Sequence, residues 1–263
     1  MTKPGSTLLA VHLDRSSTLR PVLPAIRAGL VELLDAQPTD GLSVVVSTGD
    51  DLTRSLSDGS HPPAVQVVPS AAVAMLPDRL RTRTGPDLRI GATRLLDAVG
   101  EELAGRPESE RPERVVVLLV GEAGVGDTTA LRERIEHQRT TYDWEFALVD
   151  VTTGTIPAAR VTAPVGTAAA TDAPADGAAP VAVAERPDAP AAAARFGIPA
   201  GATITAGPGV DGVAAAMTAA SGFVRRALAT PSREPVVGFT DNERAAADVA
   251  DTRPAWRRIL RLP

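Results

Sequence analysis

Leu8-Leu9-Ala10-Val11-His12-Leu13, followed at once by Asp14-Arg15-Ser16-Ser17-Thr18, is the stretch on which the fold turns. The apolar run reads as a strand, and the polar residues after it lead into a helical pattern, so together they make a strand-to-helix turn. A carboxylate and two hydroxyls at positions i, i+2 and i+4 of such a turn can converge on one hard cation, because oxygen ligands suit Mg²⁺. The same residue types are ordinary turn and N-cap residues, so the spacing alone also fits a plain hydrogen-bonded turn.

Strand and helix patterns alternate outward from this point to about residue 150, as they do in a parallel sheet covered on both faces. Residues 21–34 carry Val22, Leu23, Ile26, Leu30, Leu33 and Leu34 on one helical stripe. Residues 42–47 and 64–68 read as a strand pair, with Gly49-Asp50-Asp51 and Asp58-Gly59 marking turns between them. A helix is expected over 93–104, stopped by Gly105 and Pro107. The unbroken apolar run 115–120 is the mark of a strand buried on both faces. A helix over 128–139 and a strand over 144–151 follow, and a last core helix over 210–228 carries Val210, Val213, Met217, Ala220, Val224 and Leu228 on one stripe. The fold class expected is therefore α/β, a doubly wound, mostly parallel Rossmann-like sheet.

Two motifs in order give this pattern a family likeness. The turn after the first strand, D-R-S-S-T at residues 14–18, resembles the D-x-S-x-S motif of the von Willebrand factor type A (vWA) family, in particular its small bacterial cytosolic members. Gly91-Ala92-Thr93-Arg94-Leu95-Leu96-Asp97-Ala98 resembles that family's second motif, G-x-T with a following L-x-D-A at the start of a helix. Tyr142-Asp143-Trp144-Glu145-Phe146-Ala147-Leu148 is similar to its fifth strand. Phe196-Gly197-Ile198-Pro199 with Ala202-Thr203-Ile204-Thr205 is similar to its last helix-to-strand passage. The likeness covers roughly residues 6–229. It implies an antiparallel edge strand, to which the pair 42–47 and 64–68 corresponds.

The resemblance also implies a metal-ion-dependent adhesion site, in which one divalent cation is surrounded by these motifs and often completed by a carboxylate of a bound protein. Carried over by residue, the ligands are Asp14, Ser16, Thr18 and Thr93; threonine at 18 keeps the hydroxyl and adds a methyl. The family's T-D-G after its fourth strand appears here as Val120-Gly121-Glu122, so a glycine stands where the second aspartate belongs. Glu122, one residue on, is the candidate substitute if the loop differs. Losing a carboxylate weakens the attraction for Mg²⁺, because charge count tunes affinity at oxygen sites. Gly121→Asp is accordingly expected to strengthen metal binding, and a partner's acidic side chain to do the same.

The loop at 121–129, Gly121-Glu122-Ala123-Gly124-Val125-Gly126-Asp127-Thr128-Thr129, matches the phosphate-binding pattern G-x-x-x-x-G-K-[ST] except that Asp127 stands at the lysine. That substitution reverses the electrostatics needed against β- and γ-phosphates. An apolar run ending in Asp150 could pose as the accompanying acidic strand. The plainer account makes Asp127 the N-cap of the next helix.

Composition bounds the remaining classes. The 263 residues are 44% hydrophobic but only 3% aromatic, so a core must be built from Val, Leu, Ile and Ala. A net charge of −5 argues against a nucleic-acid partner. The absence of cysteine removes disulfides and thiolate chemistry, and three scattered histidines make a histidine-rich zinc centre unlike this chain. No run approaches the length of a membrane span and the first residues lack an apolar leader, so the protein is expected to be cytoplasmic, with no membrane partner. Residues 157–186, rich in Ala, Pro, Thr and Gly, are expected to form a flexible insertion. Residues 230–263 form a C-terminal extension, with a capping box at Thr240-Asp241-Asn242-Glu243 and a basic amphipathic end at 254–262. No G-x-S-x-G elbow or H-E-x-x-H helix is present. The expected function is a non-enzymatic protein-interaction module working through the carboxyl-end loops of the sheet. A structural subunit with a vestigial metal site and a nucleotide-binding protein using 121–129 are the alternatives.

Overall fold

The computed structural model describes residues 3–38, 41–48, 88–123, 126–151, 189–232 and 234–248. The elements run, in chain order, β1 (Lys3–Leu13), α1 (Leu23–Asp35), β2 (Leu42–Thr48), α2 (Leu88–Gly105), β3 (Pro112–Gly121), α3 (Thr129–Tyr142), β4 (Glu145–Val151), α4 (Ala189–Phe196), β5 (Thr203–Ala206), α5 (Val210–Ala229) and α6 (Asp241–Ala247). The strands form one sheet of order β2-β1-β3-β4-β5, and every pairing among them is parallel. The antiparallel edge strand expected over 64–68 falls outside the described residues, as do the insertion 157–186 and the basic end 254–262.

Burial explains the strand sequences. Val116 to Val120 are all fully enclosed, as are Leu9, Ala10, Val11 and Leu13 beside them, so the strands carry no polar face. Helices α1 and α5 pack against each other on one face, and α2, α3 and α4 follow one another on the other. A Cβ placed on Gly29 of α1 would overlap Met217 Cβ of α5, so glycine there lets the two helices close. Helix α2 begins at Leu88, earlier than the sequence pattern suggested. Its buried stripe Leu88, Gly91, Ala92, Leu95, Leu96 and Val99 continues without a break through the G-x-T motif and holds that segment helical.

The C-terminal extension closes the sheet's edge. Strand β5 is the last strand of the sheet, so its outward peptide groups need partners. The Arg244 guanidinium of α6 donates to Thr203 O, and to the carbonyls of Ala200 and Gly201 at 3.0 and 2.9 Å. At the other end of the strand, Gly207 N–H donates to Ala247 O at 2.7 Å. Helix α6 is anchored by the capping box: Thr240 Oγ1 accepts from Glu243 N–H, and the Glu243 carboxylate accepts from Thr240 N–H at 2.7 Å. The same carboxylate takes two bonds from Arg226 of α5, at 2.8 and 3.1 Å.

One ionisable side chain is sealed in the sheet. His12 is fully buried; its Nδ1 lies 2.6 Å from Ser47 Oγ, and among the described residues Nε2 has no hydrogen-bond partner. Burial lowers its pKa to about 3, so the ring is neutral near pH 7. A neutral ring carries one proton, and placing it on Nδ1 spares the interior an unpaired N–H.

Two expectations follow. The unfolded chain takes up a proton near pH 6.5 that the native state refuses until about pH 3. Stability is therefore lost as pH falls through this window, by about 2 kcal/mol from this group between pH 7 and 5. His12→Gln should flatten that part of the profile in urea unfolding followed at successive pH values. Arg244→Ala, which removes three hydrogen bonds, one to the edge strand and two to the turn before it, should cost about 2 kcal/mol in the same measurement at pH 7.

Candidate functional site

The strand order places the site. The chain passes from β1 to β2 on one side, crosses back to β3 on the other, and then continues outward to β4 and β5. The direction of winding therefore reverses between β1 and β3. In open parallel sheets a crevice forms outside the carboxyl ends of the strands at such a reversal, because the two connecting segments leave in opposite directions. Asp14 follows β1, Gly121 ends β3 and Glu122 follows it, so the first motif and the loop after β3 meet at this crevice.

Four of the five residues singled out in the sequence are joined there. Asp14 is only 2% exposed, and its Oδ1 accepts the Ser16 N–H at 2.9 Å, which folds the turn back over the strand end. The next residues, Ser17–Leu19, form a single 3-10 turn. Ser16 Oγ lies 2.7 Å from Thr18 Oγ1, and Thr18 Oγ1 donates to Glu122 Oε2 at 2.8 Å. Because the Thr18 proton goes to the carboxylate, Ser16 is the donor in the hydroxyl pair. Its own lone pairs are left to accept or to coordinate. The set therefore contains two carboxylates and two hydroxyls, all oxygen donors of the kind a hard divalent cation takes.

Thr93 stands apart. It is half-buried in the second turn of α2, and among the described residues no hydrogen bond joins it to the other four. The sequence pattern starts the helix at Thr93, whereas α2 already includes Leu88 and carries its apolar stripe through residues 91 and 92. Among the described residues no three His, Asp or Glu side chains converge in metal-binding geometry, so any cation here would depend on the hydroxyls.

Gly121 has a steric reason. A Cβ built on it would fall inside the van der Waals envelope of Asp14 Cβ, and would lie 3.2 Å from both Asp14 Oδ2 and Leu88 Cδ1. The two strand ends are also tied directly, Asp14 N–H donating to Val120 O at 2.8 Å. A side chain at 121 thus has no room unless Asp14 moves, and the loop's acid reaches the crevice from the next residue instead. That geometry corrects the expectation that Gly121→Asp would simply restore a ligand.

In the sequence Asp150 stands out only as the end of an apolar run that mimics the acidic strand of a nucleotide site. It ends β4, pairs in register with Gly121, and is 3% exposed. Its Oδ1 accepts the buried Ala123 N–H at 2.9 Å, which fixes the loop immediately after Glu122. Further along that loop, Asp127 Oδ1 accepts the Thr129 N–H at 2.9 Å and the Thr129 hydroxyl at 2.6 Å. These bonds, the hydroxyl first, hold its carboxyl below the usual carboxylate range. The N-cap residue of α3 is Thr128, one later than the sequence suggested; Asp127 nevertheless satisfies one of the free N–H groups at the helix start. Arg89 Nη1 and Arg195 Nη2 donate to the carbonyls of Asp127 and Gly126, at 3.0 and 2.7 Å.

A cavity of about 430 Å³ lies elsewhere, at the amino end of the sheet, bounded by Arg114, Trp144, Glu145, Phe223 and the segment at Val236. It contains none of the five candidate residues. Burial pushes the Glu145 carboxyl up there, against the opposing pull of Arg114. Among the described residues no helix is long and apolar enough to cross a membrane.

Gly121→Ala should lower stability by about 1–3 kcal/mol, because the atom it must displace is the root of the Asp14 side chain and not a flexible tip. Gly121→Asp should do the same. Thermal unfolding of the two variants checks this.

No protein family and no curated protein matches the chain. Among solved structures it is similar to a von Willebrand factor type A protein from Catenulispora acidiphila, with 11% identity and a TM-score of 0.47 over 84% of this chain and 43% of that one. It is also similar to the manganese-loaded TRAP protein of Plasmodium vivax, with 18% identity and a TM-score of 0.42 over 56% of this chain and 57% of that one. A third such structure is proximal thread matrix protein 1 from the mussel byssus, with 16% identity and a TM-score of 0.39 over 57% of this chain and 37% of that one. The chain spans less than two thirds of the length of each.

Proposed function

We propose that this chain is a non-enzymatic protein-interaction module of the vWA kind, docking a protein partner at the carboxyl edge of its sheet. The reading rests on one observation: Asp14, Ser16, Thr18 and Glu122 form a continuous hydrogen-bonded set at the point where the sheet's winding reverses. The residues fit a hard divalent cation such as Mg²⁺. When bound, that cation would supply a positive charge for an acidic side chain of the partner.

The roles divide by burial. Asp14, enclosed at the strand end, would hold the cation from below, and its bond to Ser16 N–H sets the turn that presents the hydroxyls. Ser16 offers lone pairs, while Thr18 orients the Glu122 carboxylate. Two carboxylates instead of one bring more negative charge to the site than Asp14 alone, which favours Mg²⁺ and lessens its dependence on the partner. Ile90 and Val210, at the helix starts on the same edge, are exposed and offer apolar contact around the charged centre. Metal and partner would bind with positive, reciprocal coupling, since each supplies the other's missing charge.

Asp14→Asn separates charge from structure, because the amide oxygen can still accept from Ser16 N–H. It should abolish partner capture from a lysate of the source cell and reduce Mn²⁺ affinity at least tenfold, while the unfolding midpoint moves by only a few degrees. Capture that persists unchanged in chelator would overturn the cation-dependent reading and leave the structural-subunit alternative.

A further inference from the structure

The loop that carries Glu122 is held on both sides by acids that do not themselves belong to its strand. Gly121 lies against Asp14 of the β1 end, close enough that no side chain fits between them. Ala123, two residues on and 4% exposed, donates its N–H to Asp150 at the end of β4. Glu122 is thus the middle residue of a short span whose two neighbours are fixed to the strands on either side of β3. Its carboxylate accepts from Thr18 Oγ1, across the crevice and 104 residues away in sequence.

We propose that Asp150 is a positioning residue, which fixes the backbone at Ala123 and thereby aims the Glu122 carboxylate at Thr18 and the candidate cation site. Glu122 sits on a loop, where side-chain direction depends on how the backbone is tethered. Gly121, lacking a side chain, can define the close approach to β1 but cannot by itself set the direction of residue 122. The buried Asp150 supplies that second constraint: its carboxylate satisfies a buried N–H and costs the site no ligand, because the bond is to main chain. Groups that orient a ligand in this way commonly change metal affinity ten- to a hundredfold when removed. The consequence for metal affinity rests on the cation-dependent reading given above, whereas the tethering of Glu122 does not.

The test uses Asp150→Asn, which keeps an acceptor oxygen, and Asp150→Ala, which removes it, each alone and with Glu122→Ala. If Asp150→Ala does not fold, Asp150→Ser takes its place, with an oxygen one bond short. In metal-free protein, amide hydrogen exchange at Ala123 should stay slow in Asp150→Asn and become at least tenfold faster in Asp150→Ala. The carboxyl ¹³C resonance of Glu122 should shift only in Asp150→Ala. With Mn²⁺ alone as the probe, Asp150→Asn should bind within about threefold of wild type and Asp150→Ala about tenfold more weakly. That loss should vanish in the Glu122→Ala background, since the effect is exerted through Glu122.

The proposal is overturned if Ala123 exchanges equally slowly in Asp150→Ala. It is equally overturned if Asn is as damaging as Ala, which would make the charge the acting feature, or if the Ala loss persists without Glu122. Should wild-type protein bind no Mn²⁺, the cation reading fails by itself, and the exchange and resonance measurements still decide the role of Asp150.

Discussion

The close approach of β1 and β3 at their carboxyl ends is the constraint on which the candidate site depends. Asp14 N–H bonds to Val120 O, and Gly121 presses its bare Cα against the Asp14 side chain. With the strand ends this near, the turn after β1 and the loop after β3 share one crevice. A glycine at 121 is the consequence, and the acid of the β3 loop falls at 122. From there Glu122 reaches Thr18, which draws the hydroxyls of the first turn into the same set. One steric contact thus explains both the glycine at 121 and the position of the loop's acid one residue later.

The rest of the fold serves to hold that edge still. Strands β1, β3 and β4 are enclosed on both faces and packed between the two helix layers, which hold the middle of the sheet in place. The sheet's other weak point, the outer edge of β5, is satisfied by Arg244 and the Ala247 carbonyl of the C-terminal helix. The extension therefore belongs structurally to the domain whose sheet it borders. His12 and Asp150 show the two ways a polar group survives in this interior: the histidine sheds its charge, and the aspartate spends its oxygen on a backbone N–H.

The amino and carboxyl ends of the sheet differ in character. At the amino end, Arg114 and Glu145 lie 3.6 Å apart beside a cavity closed partly by the extension. At the carboxyl end, acids and hydroxyls gather at the reversal of winding, with arginines bonded to the β3–α3 loop. An arrangement of oxygen donors at a topological switch point suits a charged contact better than a nucleotide. The carboxylate of Asp127, where a phosphate-binding lysine would stand, is committed to the start of α3.

Much of the architecture was legible in the residue order. The apolar runs at 8–13 and 115–120 mark strands enclosed on both faces, and the 3.6-residue stripes at 23–34 and 210–228 mark the helices that cover them, because such patterns depend only on burial. The D-R-S-S-T turn likewise announced a cluster of Asp14, Ser16 and Thr18, since residues so close in sequence cannot lie far apart in space. What crosses the sheet was not legible. The extension of α2 back to Leu88, ahead of the expected start at Thr93, goes with packing against strands distant in sequence. The exclusion of a side chain at 121, the reach of Glu122 to Thr18 and the tether from Asp150 to Ala123 join β1, β3 and β4, strands separated by 27 to more than 100 residues. Local patterning determines which segments become strands and helices; which side chains meet at the ends of those strands is decided only when the sheet assembles.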